Sequence, residues 1–402
     1  MVEHGIHFEI VLLGIVAAVI VYSLLTKAIS QTIVTLPIIF MLIGFGVSGP
    51  IKSAASAEVL HETSRLVAEI TLILVLFADA SHVRFARLKQ SFQLPLRMLV
   101  IGMPLALALG TFVVFFLNSG AGLAMALLTA AVLTPTDAAV GQAVVSNPNV
   151  PQKLSQTINV ESGLNDGLVL PFVLLGAVLA SGVGSHGEVE SLPVQALLQI
   201  ILGPLVGIAV GWVAARALDI AQERDWIVES AAAVVFLMTA FAAFLGAELV
   251  GGNGFIAAFV AGAVFGNVYK HDIHFISEFM EGSGQLLTMA AFFMFGALLL
   301  PQGLAHISFI PVMIAIAFLT VVRMLPIWIS LTGTGLSLKD KLFLGWFGPR
   351  GLASILFTLI IIDEFEFQYE TELLACVSMT VFFSIILHGI SATPLANRIG
   401  RK

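Results

Sequence analysis

The chain has 402 residues, 58% of them hydrophobic and only 11% charged, with a mean hydropathy of +1.03. A soluble globular domain carries about 25% charged residues, so this composition excludes a water-soluble protein and points to one embedded in a bilayer. The formal net charge of −7 gives no basic excess for nucleic acid, and the single cysteine, Cys376, excludes an intramolecular disulfide or a cysteine-rich metal site.

Long apolar runs, rather than short alternating segments, predict helices and argue against an outer-membrane barrel. A crossing needs about 20 apolar residues. In chain order, thirteen spans fit that ruler: 8–26, 31–48, 63–80, 94–117, 121–146, 157–180, 193–218, 227–247, 251–269, 283–301, 307–332, 340–362 and 371–396. The chain thus reads as an all-α polytopic membrane protein. It forms one transmembrane unit over 1–402, with a first block of six spans at 8–180, a linker span at 193–218, a second block of six at 227–396, and no soluble domain. With the N-terminus outside, fourteen of the eighteen Lys and Arg residues fall on inner segments, among them Lys27, Arg84, Arg87 and Lys89. Only Lys52 and Arg65 fall outside, and Arg323 and Arg350 lie within spans. This positive-inside bias sets the C-terminus in the cytoplasm, with the protein in the cell (inner) membrane.

Span 5 is interrupted by Thr134-Pro135-Thr136-Asp137, and span 12 by Gly348-Pro349-Arg350-Gly351. Proline removes a backbone donor and clashes with the preceding turn. A kink alone needs no function, since proline is common in membrane helices. Here the two breaks occupy corresponding places in the two blocks, and the odd linker span inverts the second block. Paired interrupted helices in inverted repeats point to a transporter site. Broken ends expose free N–H and C=O groups. Asp137 suits the positive ends, Arg350 suits the negative ends, and a free carbonyl such as that of Thr134 is a ready ligand for a small cation.

Ionisable groups inside spans are costly and suggest function. The densest group is Glu161-Ser162-Gly163-Leu164-Asn165-Asp166 in span 6. Ser162, Asn165 and Asp166 share one helix face and offer oxygen donors suited to an alkali cation. Glu161 lies about 140° round the helix from Asp166, which makes Arg350 its expected partner in a buried ion pair. Asp166 lies about 14 Å from the inner end of its span at 1.5 Å per residue. Thr134, Asp137 and Arg350 fall at a similar depth on other spans. Asp79 is shallower and reads either as lining a cytoplasmic funnel or as an interfacial carboxylate beside Arg84. Arg323 pairs with a carboxylate or a helix end. Glu229 and Glu248 read as groups near span ends, and His388 as a hydrogen-bonded packing residue. Desolvation favours the neutral form of a carboxylate and an entering cation favours the charged form. Proton and cation therefore compete for one aspartate, with no nucleotide, cofactor or covalent chemistry.

The segments TPTDAAV (134–140), ESGLNDG (161–167) and GPRGLASILF (348–357), with LFADAS (76–81) and FFSIILHGISATPL (382–395), resemble those of monovalent cation–proton antiporters. The similar branch holds the NhaP proteins and the sodium–hydrogen exchangers. The resemblance implies inverted six-helix repeats, a core domain moving against a dimerisation domain, and a homodimer in the bilayer. It makes Asp166 the ion- and proton-binding carboxylate, with Asn165 and Ser162 beside it and the Thr134 carbonyl as a further ligand of the monovalent cation. Asp137 belongs to the crossing, Glu161 to the arginine that is here Arg350, and Asp79 to an acidic funnel position. Asn at 165, where electrogenic relatives carry a second Asp, implies one-for-one electroneutral exchange. The implied activity is exchange of Na+ or Li+ for H+, with K+ as the alternative ion. A cation channel is the alternative of another class, although no glycine-rich filter loop is present. An intramembrane hydrolase would need Asp137 as a second catalytic aspartate beside Asp166, and HExxH and nucleophile-elbow patterns are absent.

Overall fold

The computed structural model describes residues 2–29, 32, 34–54, 57–83, 93–145, 147–181, 192–271 and 274–400. Arg84, Arg87 and Lys89, and most of the loop expected at 181–190, lie outside these residues. Every described element is helical: α1 (Val2–Ile29), α2 (Leu36–Gly46), α3 (Ser48–Ala54), α4 (Ala57–Ser81), α5 (Gln93–Arg97), α6 (Met103–Leu117), α7 (Gly122–Leu133), α8 (Ala138–Val145), α9 (Gln152–Ala180) and α10 (Leu192–Glu223). They continue with α11 (Glu229–Leu249), α12 (Gly254–Val268), α13 (His274–Met294), α14 (Leu300–Ala305), α15 (Phe309–Leu319), α16 (Val321–Ser330), α17 (Leu338–Trp346), α18 (Leu352–Glu364) and α19 (Glu370–Ile399). Eight helical stretches among the described residues are long and apolar enough to cross a membrane, and shorter apolar helices lie at Leu36–Gly46, Ser119–Leu133 and Gly254–Val268.

Interruptions account for the shorter pieces. π-turns at Met98–Gly102 and Phe295–Leu299 precede Pro104 and Pro301, which cannot donate to the helix behind them. A break at Thr320 separates α15 from α16 and restarts the helix one turn before Arg323. The breaks expected near 135 and 349 separate α7 from α8 and α17 from α18.

Contacts between helix ends fall into two sets. On one side Arg65 meets Asp363 at 2.5 Å, and the Tyr369 hydroxyl donates to the Gly120 carbonyl at 2.9 Å. On the other, Arg97 Nε donates to the Ser330 carbonyl at 2.6 Å, Asn149 to Asn397 at 2.8 Å, and Tyr269 to Gln222 at 2.6 Å. This grouping matches the alternation of ends that the order of spans implies. Close packing sets the frame: Gly203, Gly207 and Gly211 on α10 abut the backbone of α12 at Asn253, Ala257 and Ala261, where a Cβ has no room. Small residues let membrane helices approach in this way, because helix association in lipid relies on van der Waals contact.

Candidate functional site

The two breaks cross. Asp137 N–H donates to the Pro349 carbonyl at 2.7 Å, tying one unwound segment to the other. The Asp137 carboxylate then serves two helix N-termini. Oδ1 accepts from the N–H groups of Ala139 at 2.6 Å and Val140 at 3.3 Å, at the start of α8. Oδ2 accepts from Leu352 N–H at 2.5 Å, at the start of α18. A negative group at a helix N-terminus satisfies orphan donors and opposes the positive end of the dipole. The opposite ends are met by Arg350, whose Nη1 donates to the carbonyls of Thr134 and, at 3.0 Å, Pro135, where α7 stops. Each break thus supplies the charge that the other break's loose ends need. Gly351 fits this arrangement because a Cβ there would run into the Asp137 carboxylate, and one at Gly348 would run into Arg323.

The structure corrects the expected pairing of Glu161 with Arg350. Glu161 pairs instead with Arg323 in a two-pronged contact, Nη1 to Oε1 and Nη2 to Oε2, the latter at 2.7 Å. The α15–α16 break brings Arg323 to the Glu161 face of α9, while Arg350 is drawn across to the carbonyls of the other unwound segment. The Thr134 carbonyl, expected as a cation ligand, accepts from Arg350.

Thr136 instead meets the α9 face. Its hydroxyl lies 3.0 Å from Ser162 Oγ and accepts from Asn165 Nδ2 at 2.6 Å. The network joins the unwound segment to the α9 face carrying Asp166. Ser162, Asn165 and Asp166 are all buried, and the Oδ1 atoms of Asn165 and Asp166 have no protein hydrogen-bond partner. Proline ends helical spacing at 135, so spacing in the sequence does not say which neighbour Thr136 meets.

Asp166, Ser162, Asp137 and Asp79 line one cavity of about 1140 Å³. Its lining runs to helix ends at Ile29, His82, Asn149 and Thr393, all on the Arg97 and Asn149 side of the molecule. Asp79 is partly exposed in this cavity, shallower than Asp166 and beside Gly163 on α9. Buried carboxylates at the end of a polar cavity inside an apolar bundle suit an ion or proton pathway.

A sequence profile of the sodium/hydrogen exchanger transmembrane family matches residues 12–398. The chain belongs to that family. As an exchanger-family chain it is 26% identical over 308 residues to the K(+)/H(+) antiporter NhaP2 of Shewanella oneidensis, covering 74% of this chain and 51% of that protein. It is 27% identical over 381 residues to a Na(+)/H(+) antiporter of Saccharomyces cerevisiae, covering 85% of this chain and 38% of that protein. This chain therefore spans about half the length, or less, of these curated relatives. Its fold matches that of the sodium proton antiporter MjNhaP1 from Methanocaldococcus jannaschii, with a TM-score of 0.77, 20% identity, and coverage of 98% of this chain and 100% of the other. The exchanger-family bundle is an integral membrane fold, and the crossing just described lies at its centre.

Proposed function

We propose that the chain is a secondary antiporter that exchanges Na+ or Li+ for H+, one for one, by competition at Asp166. One observation carries this reading. Two unpartnered buried oxygens, Asp166 Oδ1 and Asn165 Oδ1, sit on the α9 face beside the Ser162–Thr136 pair, and Asp166 and Ser162 line the cavity. Oxygen donors with a single charge suit an alkali cation better than a divalent one. The same carboxylate, once desolvated, holds a proton in the cation's absence. Asp137 does not compete for this role, because both its oxygens already accept N–H groups. The electroneutral stoichiometry rests on Asp166 alone carrying the exchanged charge. The distribution of Lys and Arg makes the cavity face cytoplasmic.

Potassium is the second reading, favoured by the K(+)/H(+) antiporters among the relatives. Purified protein in proteoliposomes with an imposed pH gradient tests both, with Na+, Li+ and K+ offered in turn. The expected result is dissipation of the gradient by Na+ and Li+ without current. Exchange should slow as protons on the loading side outcompete the cation. Dissipation by K+ alone selects the second reading. Current in the absence of a proton gradient sinks both readings and favours a channel.

A further inference from the structure

The break between α17 and α18 has a support that the exchange reading does not use. Ser384 and His388 lie one turn apart on α19, both buried. Ser384 Oγ accepts from Arg350 N–H at 2.6 Å. His388 Nε2 lies 2.9 Å from the Trp346 carbonyl. His388 Nδ1 lies 3.2 Å from Ser384 Oγ and 3.0 Å from the Ser384 carbonyl.

Nε2 and Nδ1 each lie near a carbonyl, that of Trp346 and that of Ser384, and a neutral ring carries one hydrogen. On Nε2 it bonds Trp346 and leaves Nδ1 to accept from the Ser384 hydroxyl, whereas on Nδ1 it would leave Nε2 facing the Trp346 carbonyl with no hydrogen between them, so the first arrangement makes more hydrogen bonds. Ser384 Oγ, having accepted from Arg350, must place its own hydrogen, and the lone pair of Nδ1 receives it. Hydrogen bonds then run from Arg350 N–H to Ser384, from the Ser384 hydroxyl to Nδ1, and from Nε2–H to Trp346. The ends of this relay are the last residue of α17 and the residue beside Gly351, on either side of the break. The Trp346 carbonyl also accepts from Gly348 N–H at 2.8 Å, which uses its second lone pair. The Trp346 indole donates to Ser391 Oγ at 2.9 Å, and its ring centroid lies 5.1 Å from that of His388. Ser384, His388 and Ser391 thus lie on one face of α19 at i, i+4 and i+7, and all three contact residues of this break.

We propose that Ser384 and His388 are positioning residues for cation exchange. They splint the unwound segment so that the Arg350 guanidinium meets the Thr134 and Pro135 carbonyls. Those carbonyls in turn set Thr136 beside Ser162 and Asn165, next to Asp166. Neither residue touches the ion, and the role rests on the exchange reading above.

The test compares His388→Leu, His388→Gln, Ser384→Ala and wild type in proteoliposomes, varying the cation that wild type carries. His388→Leu removes both ring contacts and is expected to raise the apparent KM about fivefold, the scale of one net hydrogen bond, with the maximal rate little changed. His388→Gln can donate to Trp346 and accept from Ser384, and is expected to restore most of the affinity. Ser384→Ala is expected to raise KM like His388→Leu, and it decides the matter if the leucine variant fails to fold. A wild-type KM in Ser384→Ala or His388→Leu overturns the proposal, as does a glutamine variant no better than leucine. A separate readout is the ring ¹⁵N signal of His388, assigned by its loss in His388→Gln. A neutral ring protonated at Nε2 is expected, and the other tautomer or an imidazolium overturns the relay. If wild type carries no Na+, Li+ or K+, the exchange reading fails, whereas the ¹⁵N signal still judges the splint.

Discussion

The two breaks meet at one crossing, yet they face different surroundings. The first, at Thr134–Asp137, borders the cavity: Asp137 and Ala139 line it, and Thr136 reaches the α9 face with Asp166. The second, at Phe347–Gly351, is enclosed in protein. Among the described lining residues only Leu352, just beyond it, reaches the cavity. Arg323, paired with Glu161, lies against it at Gly348, while Ser384 holds the Arg350 amide. A charge in a broken membrane helix therefore does not by itself mark a transport site. That difference divides the polar residues into a cavity-facing group and a buttress.

The sharpest way to break this division is Asp166→Asn. It removes the one charge assigned to both proton and cation while keeping size and shape. Exchange in proteoliposomes should fall to the level of empty liposomes. The thermal unfolding midpoint should stay close to wild type, because Asp166 Oδ1 gives up no protein hydrogen bond. Measurable exchange in this variant would move the site elsewhere.

The buttress should respond in the opposite way. Removing one partner of a buried ion pair costs about 3–5 kcal/mol, because the other charge is left unpaired. Glu161→Ala and Arg323→Ala should each lower thermal stability on that scale. The double variant should lose less than the two single losses summed. The parallel cycle of Glu161 with Arg350 should show weaker coupling, since Arg350 bonds to carbonyls of the other break. Equal coupling in both cycles would erase the distinction between the two arginines.

The pairing of these residues also shows where sequence reasoning stops. The bundle, the two breaks and the α9 carboxylate face were legible. Apolar length, proline and helical spacing are local properties, and each acts within one segment. The choice between Arg323 and Arg350 was not local. It depended on a break at Thr320 that carries no proline or glycine and on how far two unwound segments slide past each other. The contact of Thr136 with the α9 face has the same cause. Helical spacing no longer says which way a side chain points once the helix has ended, so this contact emerges only once the crossing is built.

A smaller effect is expected at Asp137, which belongs to both groups. Its carboxylate caps α8 and α18, and caps of this kind are worth about 1 kcal/mol each. Asp137→Asn keeps one acceptor oxygen and turns an amide NH2 toward one of the N–H groups it formerly accepted. A stability loss of about 1–3 kcal/mol, the cost of an unsatisfied buried donor, should accompany reduced but persistent exchange. Complete loss of exchange with unchanged stability would instead make Asp137 a second ion-binding carboxylate, and the stoichiometry would need re-measurement.

The smallest and most selective change is at Thr136. Thr136→Val keeps the β-branched shape that packs between the two segments and deletes only the hydroxyl. Asn165 Nδ2 then loses its 2.6 Å acceptor and Ser162 its 3.0 Å partner. With that acceptor gone, nothing fixes which way the Asn165 amide turns its unpartnered Oδ1. One net hydrogen bond is worth about 1 kcal/mol, so the apparent KM for the cation should rise about fivefold. Proton dependence should change less, because the proton needs only Asp166. Thr136→Ser restores the hydroxyl without the methyl group and should return the KM toward wild type. Thr134→Val supplies the contrast. It removes a hydroxyl that donates only to Ala130 within its own helix and leaves the carbonyl held by Arg350 intact, so cation affinity should stay near wild type. A KM that rises in Thr134→Val and not in Thr136→Val would place the Thr134 hydroxyl, rather than that of Thr136, in the binding site. The first break would then have to turn a different face to the cavity when the cation is bound.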